Sequence, residues 1–275
     1  MDLLQVLSIA VCCPSATLAV WSSAWLHGAA AADNALDALL AWGEAHEVVA
    51  ADAAAGESFD LPVTGNVPAA PARLLAVLRG SGATGARLVL PVPGDVRGLG
   101  GGGPFTEAAV RAGEAVVLTG LRHGLVPQPI AEGLVRWTVY GLANEPAPEH
   151  VSLAEAEHGL TDAIRDSAGA LQTLDVASDR PGVRAELSAA LRSRPRPDWP
   201  PGMPARSLRV LQRAEEVGAI LRLAHADEPG GALSASAVNR RADALRPLAD
   251  AIRTARCAAV NEAVRTFADQ ANRSS

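Results

Sequence analysis

The chain reads as an α+β protein: a small, mostly antiparallel or mixed sheet with N-terminal helices, followed by a C-terminal helical bundle. Three observations predict this. Between residues 46 and 140 lie four short runs rich in valine, leucine or aromatics, separated by turn residues. Beyond Ser152 apolar residues recur at spacings of three and four, the period of a helix with one buried face. Apolar residues make up 49% of the chain but aromatics only 3%, which favours closely packed helices with small side chains at their contacts. At 275 residues the chain is at the length where one core divides, so two domains are expected, 1–145 and 150–275.

Leu3, Leu4, Val6, Leu7, Ala10 and Val11 predict a first helix stopped before Pro14. A second is expected from about Thr17, with Leu18, Trp21, Trp25 and Leu26 on its apolar faces and Gly28 as its stop. Asp33 is expected to cap a third, which carries Leu36, Leu39, Leu40 and Trp42. The strands follow as His46–Ala50, Arg87–Val92, Ala115–Thr119 and Val135–Tyr140. A helix over Ala72–Arg79, with Pro71 near its start and Gly80 at its end, separates the first two. The last two are joined by a short Gly/Pro-rich link, which argues for an antiparallel or mixed sheet with helices on one face. Residues 145–149 form a linker, and Ser152 with Glu155 makes a capping box that opens the helical half. There Leu153, Leu160, Ile164, Leu171 and Leu174 mark one stripe, and a second helix is expected from Pro181 to about Arg192. A proline-rich connection over 194–202 carries Trp199 as an anchor. Two longer helices close the chain, one with Val210, Ala214, Val217, Leu221 and Ala224, the other with Leu245, Leu248, Ile252, Ala255 and Ala259; Pro247 should kink or restart the last.

All 24 basic residues are arginine, and the net charge of −6 hides an asymmetry. Residues 1–179 carry a net of −12 and residues 180–256 a net of +6. The arginines alternate with acids instead of clustering, which argues against nucleic acid as the partner and for an acidic half docked on a basic one. An arginine-rich bundle bound to nucleic acid is the third and weakest functional reading. Cys12, Cys13 and Cys257 have neither disulfide nor metal-ligand spacing, so a reducing cytoplasm is expected and no metal. Leu3–Ala32 carries no formal charge, yet Asp2 precedes it, the first arginine is Arg73, and Pro14 divides it into two pieces of about ten residues. No membrane span is expected from such a segment.

The best candidate binding site is the glycine-rich loop 93–103. Arg97 would meet an anionic group, Asp95 would orient Arg97, and Gly98, Gly100 and Gly103 would let backbone approach the ligand. Those three glycines satisfy G-x-G-x-x-G. A dinucleotide fold would place an acid at the end of the next strand, where Thr119-Gly120 stands, and the absence of lysine excludes a Walker loop. Arg122-His123-Gly124 follows a predicted strand and is similar to the histidine phosphatase signature, without the second histidine that family carries after a late strand. Leu61-Pro-Val-Thr-Gly65 matches a sortase signal in letters but not in position. Glu155-Ala-Glu-His158 matches half of a di-iron motif with no second copy.

The succession Trp21-Ser-Ser-Ala-Trp25, Ala41-Trp-Gly-Glu-Ala-His-Glu-Val-Val-Ala50, Leu90-Pro-Val-Pro-Gly-Asp95, Ala112-Gly-Glu-Ala-Val116 and Leu174-Asp-Val-Ala177 resembles a group of conserved hypothetical proteins from actinobacteria. The resemblance implies a cytoplasmic bacterial protein and carries over no catalytic residue. The expectation is therefore a binding or protein-interaction module, with no cofactor, whose partner is a protein or a small anionic ligand. The alternative is an enzyme acting on a small phosphorylated or carboxylated metabolite, with His123 as acid, base or nucleophile beside Arg97 and Arg122.

Overall fold

The computed structural model describes residues 13–147, 151–173, 183–193, 195–226 and 235–274. Its elements are α1 (Pro14–Leu26), α2 (Ala32–Leu39), β1 (Ala45–Ala50), α3 (Ala53–Phe59), α4 (Pro71–Gly80), β2 (Gly85–Val89), α5 (Pro104–Ala112), β3 (Ala115–Thr119), β4 (His123–Ala131), β5 (Leu134–Gly141), α6 (Leu153–Thr173), α7 (Val183–Arg192), α8 (Ala205–Ala226) and α9 (Ala235–Ser274). This is the α+β architecture expected. The first predicted helix, Cys12, Leu174 and Pro181 lie outside the described residues.

The sheet has five strands in the order β1-β5-β4-β3-β2; β1 and β5 run parallel and every other neighbouring pair is antiparallel. One strand is new relative to the sequence reading. The segment whose composition reads as a short Gly/Pro-rich link is β4, a nine-residue strand in the middle of the sheet. Its Pro127 and Pro129 pair with Trp137 and Val135 of β5. On its other side, β3 pairs only with Gly124 and Leu125, so the prolines lie where no ladder needs their missing N–H.

Strand alternation divides the sheet into two faces. Val89, Ala115, Val117 and Val126 lie on one, under Leu99, Phe105 and Ala109. Ala86, Leu88, Val116, Leu118 and Leu125 lie on the other, where α1 packs over β2, β3 and β4. Helices thus cover both faces, not one as the connection lengths implied, because α5 follows the glycine-rich loop back across the sheet.

α1 explains most of this unit. Residues Ser15 to Trp25 are all buried, so the helix has no polar face at all. Pro14 opens the helix at its first turn, where its fixed φ suits the position and its missing N–H is not needed. Side-chain hydrogen bonds then fix the register of its neighbours. The backbone N–H of Ser15 donates to Glu114 Oε2 at 2.9 Å, placing a carboxylate at the positive end of the helix. Thr17 Oγ1 accepts from Trp42 Nε1 at 2.9 Å, Ser23 Oγ accepts from the Ala86 N–H at 3.2 Å, and Trp21 Nε1 donates to the Asp198 carbonyl at 2.8 Å. α2 departs slightly from expectation: Ala31 precedes it without a side-chain cap, and Asp33 sits inside its first turn, where its charge favours the helix dipole.

Both sheet edges are covered. Beside β1, bridges join Val48 to Ala69 and Ala50 to Val63. At the β2 edge Asn261 acts as a strand substitute: its Oδ1 accepts from the Leu88 N–H at 2.9 Å and its Nδ2 donates to the Leu88 carbonyl at 3.2 Å. Asn261 lies on α9, so the last turns of that helix belong to the sheet-bearing unit. By contact the described residues divide into 13–147, 195–207 and 260–274 as one unit and 151–173, 183–193, 208–226 and 235–259 as the other. The units interleave along the chain.

The second unit is helical. Ser152 and Glu155 form the expected capping box, the Glu155 N–H donating to Ser152 Oγ at 3.2 Å and the Ser152 N–H to Glu155 Oε2 at 3.0 Å. Val210, Ala214, Val217 and Leu221 are buried on α8; Leu245, Leu248, Ile252, Ala255 and Ala259 are buried on α9. α9 runs through Pro247 without restarting.

Replacing Asn261 with leucine leaves the Leu88 N–H and C=O without partners beside a residue only 1% exposed. Urea unfolding should show a loss of about 2 kcal/mol, the cost of orphaned buried backbone groups. A loss under roughly 0.5 kcal/mol, the level of an ordinary surface change, would mean the edge does not depend on this amide.

Candidate functional site

The glycine-rich loop is built by packing. Val92 and Asp95 exchange backbone hydrogen bonds at 3.1 and 2.9 Å around Pro93-Gly94, with Gly94 at φ 89°, a tight turn of the kind proline and glycine favour. Asp95 and Arg97 meet each other in a bidentate pair, Nε to Oδ1 and Nη2 to Oδ2 both at 2.8 Å. Arg87 of β2 reaches up to donate to the carbonyls of Gly98 and Pro146 at 3.3 and 3.2 Å. A Cβ on Gly98 would lie 3.0 Å from Arg87 Nη1, and one on Gly100 would lie 2.8 Å from Pro146 Cγ. Leu99 between them is 2% exposed and enters the core. Close approach to protein therefore accounts for Gly98 and Gly100, while Gly103 at φ 137° is the residue from which α5 starts.

His123 opens β4 on the opposite side of the sheet. The neighbouring Gly124 faces Phe105, whose ring occupies the space a side chain there would need. By alternation His123 points the other way, where it meets Phe59 edge-on with ring centroids 4.6 Å apart. Its Nδ1 is buried with no hydrogen-bond partner. Burial, helped by the Arg122 charge and opposed by Asp52, holds the ring below the ordinary histidine range and so neutral at pH 7. The structure does not bring His123 to the Asp95–Arg97 loop. The half di-iron motif is also dispersed: Glu155 serves the capping box, and the exposed His158 pairs with Asp162 at 3.1 Å. Among the described residues no group of three or more His, Cys, Asp or Glu could hold a metal ion.

A second histidine is structural. Trp137 Nε1 donates to His46 Nδ1 at 3.1 Å, which leaves the proton on Nε2, 2.8 Å from the Leu39 carbonyl. Burial lowers its pKa, opposed by the carbonyls of Leu39 and Gly43.

A concave site in the sheet-bearing unit lies elsewhere. A groove of about 500 Å³ is lined by α5 and by strands β4 and β5, together with Pro14 and Trp42. Ala108, Arg111 and Ala112 of α5 form one wall; Val126, Gln128, Thr138 and Tyr140 form the floor. Register explains the floor, since Gly124 pairs with Tyr140, Val126 with Thr138, and Gln128 with Arg136, all on one face. Pro14, Trp42 and Pro127 add apolar surface, and Glu114 closes one end with its carboxylate already bonded to the start of α1. The side chains of Arg111, Gln128, Thr138 and Tyr140 make no hydrogen bond or ion pair among the described residues, in contrast to Asp95 and Arg97. Burial raises the Tyr140 pKa against the pull of the Arg111 guanidinium, so the phenol is a donor at neutral pH. None of these residues was a sequence candidate. The available signal was the chain's single tyrosine on a strand, together with an amphipathic helix that carries an arginine in its last turn.

Fold and groove together define an α+β protein with a small-molecule-sized concavity on a five-stranded mixed sheet. The chain belongs to the Rv1486c-like family: residues 15–152 match its N-terminal domain and residues 154–257 its C-terminal domain. It is 39% identical to the uncharacterized protein Rv1486c of Mycobacterium tuberculosis strain H37Rv, across 90% of this chain and 96% of that protein. It is 35% identical to the uncharacterized protein ML1804 of Mycobacterium leprae over the same shares. These bacterial relatives agree with the actinobacterial resemblance read from the sequence. No solved structure matches. No helix of the described residues is long and apolar enough to cross a membrane.

His46 and His123 are both more readily neutral when folded than when unfolded. The unfolded chain therefore takes up more protons as pH falls below about 6.5, and stability declines with acid from there towards the lowered folded values. His123→Phe should shrink that decline between pH 7.5 and 5.5 and, by removing an orphaned nitrogen, hold or raise stability at pH 7.5 by up to about 1 kcal/mol. An unchanged pH slope in urea unfolding would contradict the assignment.

Proposed function

We propose that this protein is a binding module that takes a small molecule in the groove between α5 and the β4–β5 face. The observation that carries this reading is the contrast between two sets of polar side chains. Asp95 and Arg97 bond to each other, and their loop is held by Arg87 and Pro146. Arg111, Gln128, Thr138 and Tyr140 converge on one concavity and have no such internal bonds. Polar groups gathered at an apolar concavity without protein partners are the usual make-up of a small-ligand site, and about 500 Å³ lies within the usual size range. The expected anionic ligand is thus assigned to Arg111 in place of Arg97. His123 faces the other side of the sheet, outside that ligand's reach, and the groove reading needs no catalytic role for it.

A mixture of small aromatic and aliphatic fragments, followed by ligand-observed NMR, tests this on the full-length chain. Some fragments should bind, and Ala108→Trp, which fills the groove from the partly exposed side of α5, should abolish their binding without changing the far-UV circular dichroism. Fragments that bind the filled variant equally well, or no binding to the wild type at all, would refute the reading.

A further inference from the structure

We infer that the occupant of this groove is a planar monocarboxylate, its carboxylate on Arg111 and Tyr140 and its flat apolar body between Trp42 and the prolines of β4. The inference rests on the groove reading above and adds the chemistry of the ligand.

Charge sets the anion. Arg111 is the single cation among the lining residues and makes no ion pair among the described residues. The Tyr140 phenol, kept protonated by burial, lies within the electrostatic range of that guanidinium, and the Gln128 amide and Thr138 hydroxyl add neutral donors on the same floor. Glu114 is also in the lining. The Glu114 carboxylate is offset by the positive end of α1, whose Ser15 N–H it accepts, so Arg111 is left to balance one negative charge and not a second; a monoanion fits and a phosphate dianion does not. A guanidinium fork also matches the two oxygens of a carboxylate.

The walls set the shape. The Trp42 indole is pinned by its hydrogen bond to Thr17 Oγ1 at 2.9 Å. The Tyr140 ring rests against Phe105 with centroids 6.1 Å apart. Pro14, Pro127 and Pro129 also line the groove with rigid rings. Two fixed aromatic rings and three prolines form flat surfaces that lose no rotamer freedom when a flat ligand enters, so a planar body gains the most contact for the least ordering.

Isothermal titration of the full-length protein with 2-naphthoate, its neutral amide 2-naphthamide and 2-naphthyl phosphate separates the possibilities. 2-Naphthoate should bind at least about ten-fold tighter than the amide, and Arg111→Ala should weaken the acid by about 10- to 100-fold while leaving the amide unchanged. Tyr140→Phe should weaken the acid less. Equal binding of acid and amide, tighter binding of the phosphate, or no effect of Arg111→Ala would overturn the carboxylate assignment; absence of naphthoate binding would do the same. The groove itself is read separately by Ala108→Trp. If that variant abolishes binding of all three compounds, the groove reading stands even where the carboxylate assignment falls; if it changes none, both fall.

Discussion

A helix with no exposed side is the constraint on which the sheet-bearing unit depends. α1 buries Ser15 through Trp25, so every neighbour must meet it closely, and apolar packing alone would allow those neighbours to slide. The slide is prevented by polar bonds at defined positions: Glu114 at its first turn, Trp42 at Thr17, the 195–207 segment at Trp21, and β2 at Ser23. Each bond orders a different stretch of chain against one rigid cylinder. Arg79, with its guanidinium 4.1 Å above the Trp25 ring centre, does the same for α4 at the other end.

The same bonds prepare the groove. Pro14, Trp42 and Glu114 reach its rim because α1 holds them there, and Glu114 is in the lining as the partner of a helix N-terminus, not as a ligand-binding acid. The opposite wall depends on Phe105, which lies directly over Gly124 and so sets how far α5 stands from β4 and β5. Tyr140 packs on that ring and takes its position from it. The Arg122-His123-Gly124 triplet thus has a packing role through its glycine, and the glycine-rich loop serves as the strap that delivers Leu99 and α5 to the sheet.

Much of the fold was legible because hydrophobic period and turn chemistry act locally. The helix over Pro71–Gly80, the strand over Ala115–Thr119 and the Ser152–Glu155 capping box need only their own residues to be recognised. β4 was not legible, since two prolines argue against a strand unless the neighbour that leaves that side unpaired is known. α3 is seven residues of mostly small side chains and shows no period. The return of α9 to β2 was hidden for a different reason: a helical stripe tells which face is buried but not what buries it. The polar groove residues Arg111, Gln128, Thr138 and Tyr140 come from α5, β4 and β5, and only the strand order makes them neighbours. The loop at 93–103 drew attention in their place because glycine density is visible in one dimension, whereas its cause, contact with Arg87 and Pro146, is not.

The most direct test of the account is a crystal structure of the full chain grown with 2-naphthoate. The account predicts the naphthalene ring against Trp42 and the carboxylate on Arg111 and Tyr140, with the Asp95–Arg97 pair intact. Density for the ligand on Arg97 and the loop glycines, with the α5 groove empty, would contradict it.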